Sequence, residues 1–410
     1  MRYAIEKELT NSFAFPLDVN IMLLGTFLTR IGYFMVWPYL SVILYKNFSL
    51  SASKIGFIFF FATFLSTLIS VYMTHKSDDY GRKPIIIIGL ITSIASFISL
   101  SFCTNVFGFA SCVTGIALGR AFIESCSKAY IGDRLKNQRS RELCQYLRYL
   151  IANIGVSLGP FIGIRFGISN SALTFFVTAI LYSLYAVLVV LFMVGSQNIK
   201  FENIKKNELL FMNNLHAVIK NNDFMIFIFC NIMLMIIYST FSSSLIQYLA
   251  RSNLNKLNDI IALLVIINSL TVIFFQLPIF YIIRRISPSK RILLGISLIT
   301  IAQLVFGYAN VHVIWQLVVA TIFLSIGEII VMPTINVEVD RLAPEGHRGI
   351  AYGITNFTNF GTSISPLLGG LLLQFFGGRS LFLFMFFSGL VTIFVYYKFI
   401  ILTSTKVIQS

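Results

Sequence analysis

Charge is what this chain has least of. Acids and bases together make up 11% of its 410 residues, where a soluble domain carries about a quarter. So few charges cannot keep one large folded surface in water, which excludes a single soluble core. Cysteine is scarce as well: Cys103, Cys112, Cys126, Cys144 and Cys230 lie scattered in or beside apolar runs, and no Cys-x-x-Cys occurs. Neither a disulfide framework nor a metal site is expected, and the five read as small core residues. The four histidines, His75, His216, His312 and His347, are far apart in sequence. There is no Gly-x-x-x-x-Gly-Lys-Ser/Thr phosphate loop, so intrinsic ATP drive is removed, and no cofactor is expected. No cleaved signal peptide is expected, since the first apolar run begins near Asp18 and is too long for an h-region.

Apolar residues are what the chain has in quantity, 57% of the total. The runs fall at about 18–45, 54–74, 84–103, 106–131, 143–167, 170–194, 223–250, 258–283, 291–309, 312–337, 349–376 and 379–402. A helix rises about 1.5 Å per residue and the hydrocarbon core is about 30 Å thick, so each run can cross once. The pattern predicts an all-α integral membrane protein of twelve transmembrane helices in the lipid bilayer. A net charge of +15 would suggest nucleic acid in a soluble protein; here the placement of the bases matters instead, and no nucleic-acid partner is expected. With the N-terminus inside, inner connections hold 21 Lys and Arg and outer ones 6. That bias predicts both termini in the cytoplasm.

The longest polar stretch, 195–222, divides the runs into two sets of six. It is expected to link an N-terminal six-helix bundle, 1–194, to a C-terminal one, 223–410. A weak internal repeat agrees. Asn153, Gly155, Pro160 and Gly163 have the same residue type 206 positions later, at Asn359, Gly361, Pro366 and Gly369, and Gly89 returns as Gly295. Asp133-Arg134-Leu135 recurs as Asp340-Arg341-Leu342 after 207. The halves read as parallel duplicates.

Between the second and third runs stands Thr74-His-Lys-Ser-Asp78-Asp-Tyr-Gly81-Arg-Lys83-Pro84. Its charges would each cost several kcal/mol in hydrocarbon, so a loop at a membrane face is expected. An Asp, a Gly three residues on, then two bases and Pro resembles the loop between helices 2 and 3 of the major facilitator superfamily, with Thr74 where that family opens on Gly. The resemblance implies the major facilitator fold, two six-helix bundles whose helices 1, 4, 7 and 10 line a central cavity. Asp78, Gly81, Arg82 and Lys83 are then expected to act as a cytoplasmic gate, the Asp accepting from backbone amides and the bases meeting acids or headgroups.

The fifth run reads Gly155-x-x-x-Gly159-Pro160-x-x-Gly163. This spacing leaves one helix face bare and Pro160 permits a bend. It resembles the antiporter motif of drug:proton antiporters, with Ile164 where the family usually has a second Gly, and is expected to pack against the opposite half. Ordinary small-residue packing would also account for the glycines. In the fourth run Arg120, Glu124 and Lys128 follow at four-residue steps, so the alternating charges can pair. Arg120 resembles the fourth-helix arginine of the superfamily, although Ile123-Glu124 replaces the usual Gln-Gly. Arg30 lies about 18 Å along the helix from Asp18, near the bilayer centre, and should face a cavity. The aromatic residues around it, Tyr33, Phe34, Trp37 and Tyr39, with Pro38, resemble helix 1 of bacterial multidrug exporters. Glu328 follows Gly327 in the tenth run, and the seventh offers Asn231, Tyr238, Ser242 and Gln247.

These features predict a secondary active transporter that exports a small-molecule substrate, drug or metabolite, against proton entry. It is expected in the bacterial inner membrane as a monomer. Translocation is assigned to Arg30, Tyr33, Trp37, Arg120, Glu124, Tyr238 and Glu328. Either Glu124 or Glu328 could carry the proton, and Glu328 is the slightly better candidate, because no base lies within four positions of it in sequence. The alternative substrate is an anionic metabolite such as a carboxylate siderophore, since Arg30 and Arg120 bias the first half positive and the first helix has no acid after Asp18. A non-transporting sensor or a membrane enzyme should show an extra soluble domain or a His/Asp cluster; the four histidines are far apart in sequence, so neither is favoured.

Overall fold

Chain direction is set by a handful of residues that stop or cap helices. The computed structural model describes residues 15–135, 137–166, 171–193, 220–342 and 355–409. Among these lie α1 (Leu17–Phe48), α2 (Ala52–Tyr80), α3 (Arg82–Leu100), α4 (Val106–Arg134), α5 (Gln138–Phe166) and α6 (Ser171–Phe192). Next come α7, in two pieces (Asn222–Ser239 and Ser244–Ala250), α8 (Leu257–Ile283), α9 (Pro288–Tyr308) and α10 (Ile314–Leu342). The stretch Asn359–Gln409 breaks at Gly377, with φ of 80°, into α11 (359–376) and α12 (378–409). Ten candidate spans among the described residues are long and apolar enough to cross a membrane. That count takes α11 and α12 as one apolar stretch, Asn359–Ile400, and omits α5, whose first third from Gln138 to Arg148 is polar.

Caps account for several of the boundaries. The Asn105 side chain accepts from Gly108 N at 2.7 Å to start α4, and Asn221 accepts from Phe224 N at 3.1 Å to start α7. Pro288 opens α9, where its missing N–H costs nothing. At the break in α7, Thr240 Oγ1 donates to Ile237 O (2.6 Å) and Ser243 Oγ to Ser239 O (2.8 Å), while Gln303 Nε2 on α9 donates to Ile237 O (3.2 Å). Side chains thereby satisfy the carbonyls that the interrupted helix frees, which a membrane interior requires.

The polar break after α2 proves not to be a loop. Helix α2 runs through Asp78 to Tyr80, and the chain turns at one residue, Gly81, with φ of 88°. Glycine adopts that angle without steric cost. Arg82 Nε meets an acid, Asp133, at 3.1 Å, and its guanidinium also donates to Ser77. Lys83 meets no acid among the described residues; its Nζ donates to Val190 O (2.9 Å) and Met193 O (2.8 Å), closing the carbonyls left open where α6 ends. The side chain of Asp78 lies outside the described residues, as does the expected linker as far as 219.

Two compact units divide the chain, Met1–Tyr39 with Ala62–Ile199, and Leu40–Phe61 with Lys200–Ser410. In the first, Tyr130 and Arg134 at the end of α4 both donate to Asp18 Oδ2 at the start of α1, at 2.6 and 2.7 Å. The second is built on Phe224, Phe227, Leu234, Ile296, Val331 and Tyr396, all buried. It also holds the α1–α2 turn, where Arg251 lies over the Tyr45 ring at 4.3 Å and donates to Leu50 O at 3.1 Å.

The same glycine crossings occur in each unit. A Cβ on Gly89 of α3 would stand 2.8 Å from Gly119 O of α4, and one on Gly295 of α9 would stand 3.0 Å from Gly327 O of α10. Gly155 of α5 lies against Phe27 O of α1 as Gly361 of α11 lies against Ile232 O of α7. The repeat in the sequence is thus a repeat in backbone contact. Gly159 and Gly163 continue the α5 stripe onto Ile31 O and Met35 O of α1. The stripe therefore packs on the helix beside it in its own unit, which corrects the expected packing against the opposite half. Replacing Gly327 with Leu should cost about 1–3 kcal/mol by overpacking and lower the thermal midpoint of the purified protein. Gly132, which has open space around it, should accept Ala with no loss. An unchanged midpoint for Gly327→Leu would contradict the crossing.

Candidate functional site

Four helices of the first unit aim polar side chains at one point. On α1, Thr26, Thr29, Arg30 and Tyr33 share a face, and on α4 Arg120, Ile123, Glu124 and Ser127 share another; Arg148 comes from α5, and Tyr182 and Tyr185 from α6. The space they enclose is about 30 Å³, enough to seat a water molecule. Helix α1 is held between its neighbours by close backbone approach. A Cβ on Gly155 would come within 2.8 Å of Arg30 Cβ, and the Tyr185 and Tyr182 rings cover Gly25 and Gly32 from α6. Thr178 Oγ1 donates to Gly32 O at 3.2 Å and Tyr182 to Thr29 O at 3.4 Å.

At the centre is the carboxylate of Glu124. Its Oε1 takes Arg30 Nη2 at 3.0 Å, Lys128 Nζ at 3.3 Å and Arg148 Nη2 at 3.7 Å; its Oε2 takes Arg120 Nε at 3.7 Å. The pairing expected within α4 forms, and two bases from other helices join it. Four cations around one anion leave three positive charges uncompensated by any acid that lines the cavity among the described residues. At about 7 Å and an effective dielectric near 20, each pair of like charges repels by about 2 kcal/mol. Arg120 spreads its guanidinium over the Tyr33 ring at 4.2 Å, and Tyr33 stacks on Trp37 with centroids 4.9 Å apart. Arg148 is 6% exposed, and its buried Nε has no hydrogen-bond partner among the described residues.

Of the residues singled out in the sequence, Arg30, Tyr33, Arg120 and Glu124 thus meet at one site, with Trp37 attached through Tyr33. Arg148 was missed because one base on an otherwise mixed helix carries no spacing signal. Subtraction would have found it. Of the 31 Lys and Arg, all but four fall in the connections or helix ends that set topology, and those four are Arg30, Arg120, Lys128 and Arg148. Glu328 and Tyr238 belong to the second unit. Tyr238 packs against that unit's apolar core. Glu328 is buried, and its Oε2 accepts from Asn268 Nδ2 of α8 at 3.0 Å, an amide that also reaches Ser325 Oγ at 2.9 Å. A second buried acid, Glu338, escaped notice in the sequence. It accepts from Ser289 Oγ at 2.7 Å and from Arg341 Nε at 3.0 Å.

Ionisable groups this deep in membrane-spanning helices mark a path for solutes rather than a lipid-facing scaffold, and the molecule is a membrane transport protein. The sequence matches the family model described as Major Facilitator Superfamily over residues 22–360 and 258–407. It is 27% identical over 372 residues to the uncharacterized MFS-type transporter YqjV of Bacillus subtilis, covering 90% of each chain. It is 24% identical over 202 residues to the class H tetracycline resistance protein of Pasteurella multocida, covering 48% of this chain and 47% of that protein. The fold superposes on the crystal structure of a POT family transporter in complex with 5-aminolevulinic acid with a TM-score of 0.79 at 17% identity, over 96% of this chain and 97% of that one. The chain belongs to the Major Facilitator Superfamily and is a secondary transporter of small molecules.

The cluster responds oppositely to loss of either sign. Glu124→Gln leaves four cations facing a neutral amide and should destabilise by about 2–4 kcal/mol, somewhat below the cost of stripping a fully buried pair. Arg148→Met removes one of the surplus charges and should leave the thermal midpoint unchanged or higher. Thermal unfolding of both purified variants checks the sign; destabilisation by Arg148→Met equal to that of Glu124→Gln would contradict the surplus.

Proposed function

We propose that the protein transports small organic anions, and that Arg30, Arg120, Lys128 and Arg148 hold the substrate's acidic group in competition with Glu124. The charge imbalance at the cavity carries this reading: four bases converge on one acid. An entering carboxylate gains two or three charge-assisted hydrogen bonds there, whereas a lipophilic cation meets repulsion from three uncompensated charges. Tyr33, which lines the cavity and stacks on Trp37, supports the Arg120 guanidinium from one side. Of the two substrate classes left open by the sequence, this charge balance supports the anion.

The transport mode we infer is export against proton entry, with both termini in the cytoplasm of a bacterial inner membrane. Its support is the 21 to 6 distribution of bases, the motif resemblances, and the half-length likeness to a tetracycline resistance protein. Bundles 1–194 and 223–410, joined by 195–222, would alternate access to the site, with Asp78, Gly81, Arg82 and Lys83 biasing one state. Glu328 is the proposed proton carrier. Asn268 donates to it and, having a carbonyl oxygen as well, can accept from its protonated form, so one partner serves both protonation states.

Proteoliposomes under an imposed pH gradient test both parts. An aromatic carboxylate should be transported and tetraphenylphosphonium should not, and Arg30→Gln or Arg120→Gln should weaken anion binding about ten- to hundredfold, the equivalent of one charged hydrogen bond. Transport of the cation, with anion binding insensitive to both arginines, would sink the assignment. Separately, Glu328→Gln should abolish uphill transport while downhill exchange of the anion persists. Retention of pH-driven accumulation would remove Glu328 as the carrier.

A further inference from the structure

The cysteines, expected as scattered core residues, include one close pair. Cys103 lies in the connection between α3 and α4, and Cys112 on the second turn of α4; their Sγ atoms are 3.5 Å apart. The short connection and the bare face of α4 bring them together. A Cβ on Gly108 would stand 3.5 Å from Cys103 Sγ, and Gly108 precedes Cys112 by one helical turn on the same face. The Cys103 thiol therefore lies along that face, where it also donates to Ser99 O at 3.3 Å. The Asn105 cap on Gly108 N fixes the path of the connection. Bonded sulfurs are about 2.05 Å apart, so the two thiols must approach by about 1.5 Å to bond. Cys103 is partly exposed and Cys112 buried, an asymmetry that suits an attacking and a resolving thiol.

We propose that Cys103 and Cys112 form a reversible redox pair whose oxidant is a disulfide, small-molecule or protein. The Cys103 thiolate attacks one sulfur of that disulfide and expels the other as a thiol. Cys112 then attacks Cys103 Sγ, forming the Cys103–Cys112 bond and expelling the second thiol. Two cysteine thiols are oxidised, one disulfide is reduced, and the two protons leave on the released thiols. The bond closes a small ring that fixes the α3–α4 connection to the helix carrying Arg120 and Glu124. In the proposed orientation this connection, 101–105, faces away from the cytoplasm, the side on which disulfides persist.

The test treats the full-length purified protein with oxidised glutathione, then denatures it, counts sites labelled by maleimide-polyethylene glycol, and maps peptides by mass spectrometry. Two of the five cysteines should become protected in a Cys103–Cys112 linked peptide, and dithiothreitol should restore both. Cys103→Ser should leave Cys112 labelled, and Cys112→Ser should leave Cys103 as a glutathione adduct with no cross-link. Labelling of all five after oxidation, a stable glutathione adduct on Cys103 in the unsubstituted protein, or a link to any other cysteine would each overturn the proposal.

Discussion

One carboxylate holds the first unit's cavity together. Glu124 is the counter-charge to side chains from three helices, and without it α1, α4 and α5 would press like charges against one another in a setting of low dielectric. The close helix spacing follows from the same need. Arg30 can reach the carboxylate because Gly155 admits the α1 backbone, and Tyr33 can sit under Arg120 because α1 is pinned from the other side by Thr178 and Tyr182. A substrate anion would do what Glu124 does, so binding and internal neutralisation draw on one set of donors.

The second unit reuses the scaffold with different chemistry. Gly295 and Gly327 cross as Gly89 and Gly119 do, and Gly361 meets α7 as Gly155 meets α1. The cavity charges do not repeat among the described residues. Where the first unit has a surplus of bases, the second has Glu328 beside the Asn268 amide and Glu338 against Ser289 and Arg341. Backbone crossings tolerate no side chain and so keep their residue type, whereas cavity-facing positions are free to diverge. This split in constraint is why a repeat offset of about 206 can be read in the crossing glycines and in the helix-end residues Asp133-Arg134 and Asp340-Arg341, and not in the cavity-facing positions.

Much of the architecture was legible because hydrocarbon penalises charge so steeply. Apolar runs gave the helices, and spacing in α4 gave the Arg120–Glu124–Lys128 ladder. Three things were not legible, each for a physical reason. The break after α2 looked like a loop because polarity marks the membrane surface but says nothing of backbone conformation; the helix continues until Gly81 supplies the one positive φ required. Arg148 and Asn268 come from helices with no local pattern of charge, so only folding brings them to an acid. The partner of the α5 glycines also depended on tertiary packing, since a bare face declares that something approaches and not which helix does.

The turn at Gly81 has a mechanical consequence. A joint of one residue contributes two soft dihedrals, so the angle between α2 and α3 is set at Gly81 with no slack in which either helix can slide. Arg82 and Lys83, the first residues past the joint, anchor α3 to the end of α4 and to the last carbonyls of α6. Three helices thus meet where α2 ends, and Arg82, which also donates to Ser77 on α2, and Lys83 tie them to the one residue that sets the angle between α2 and α3.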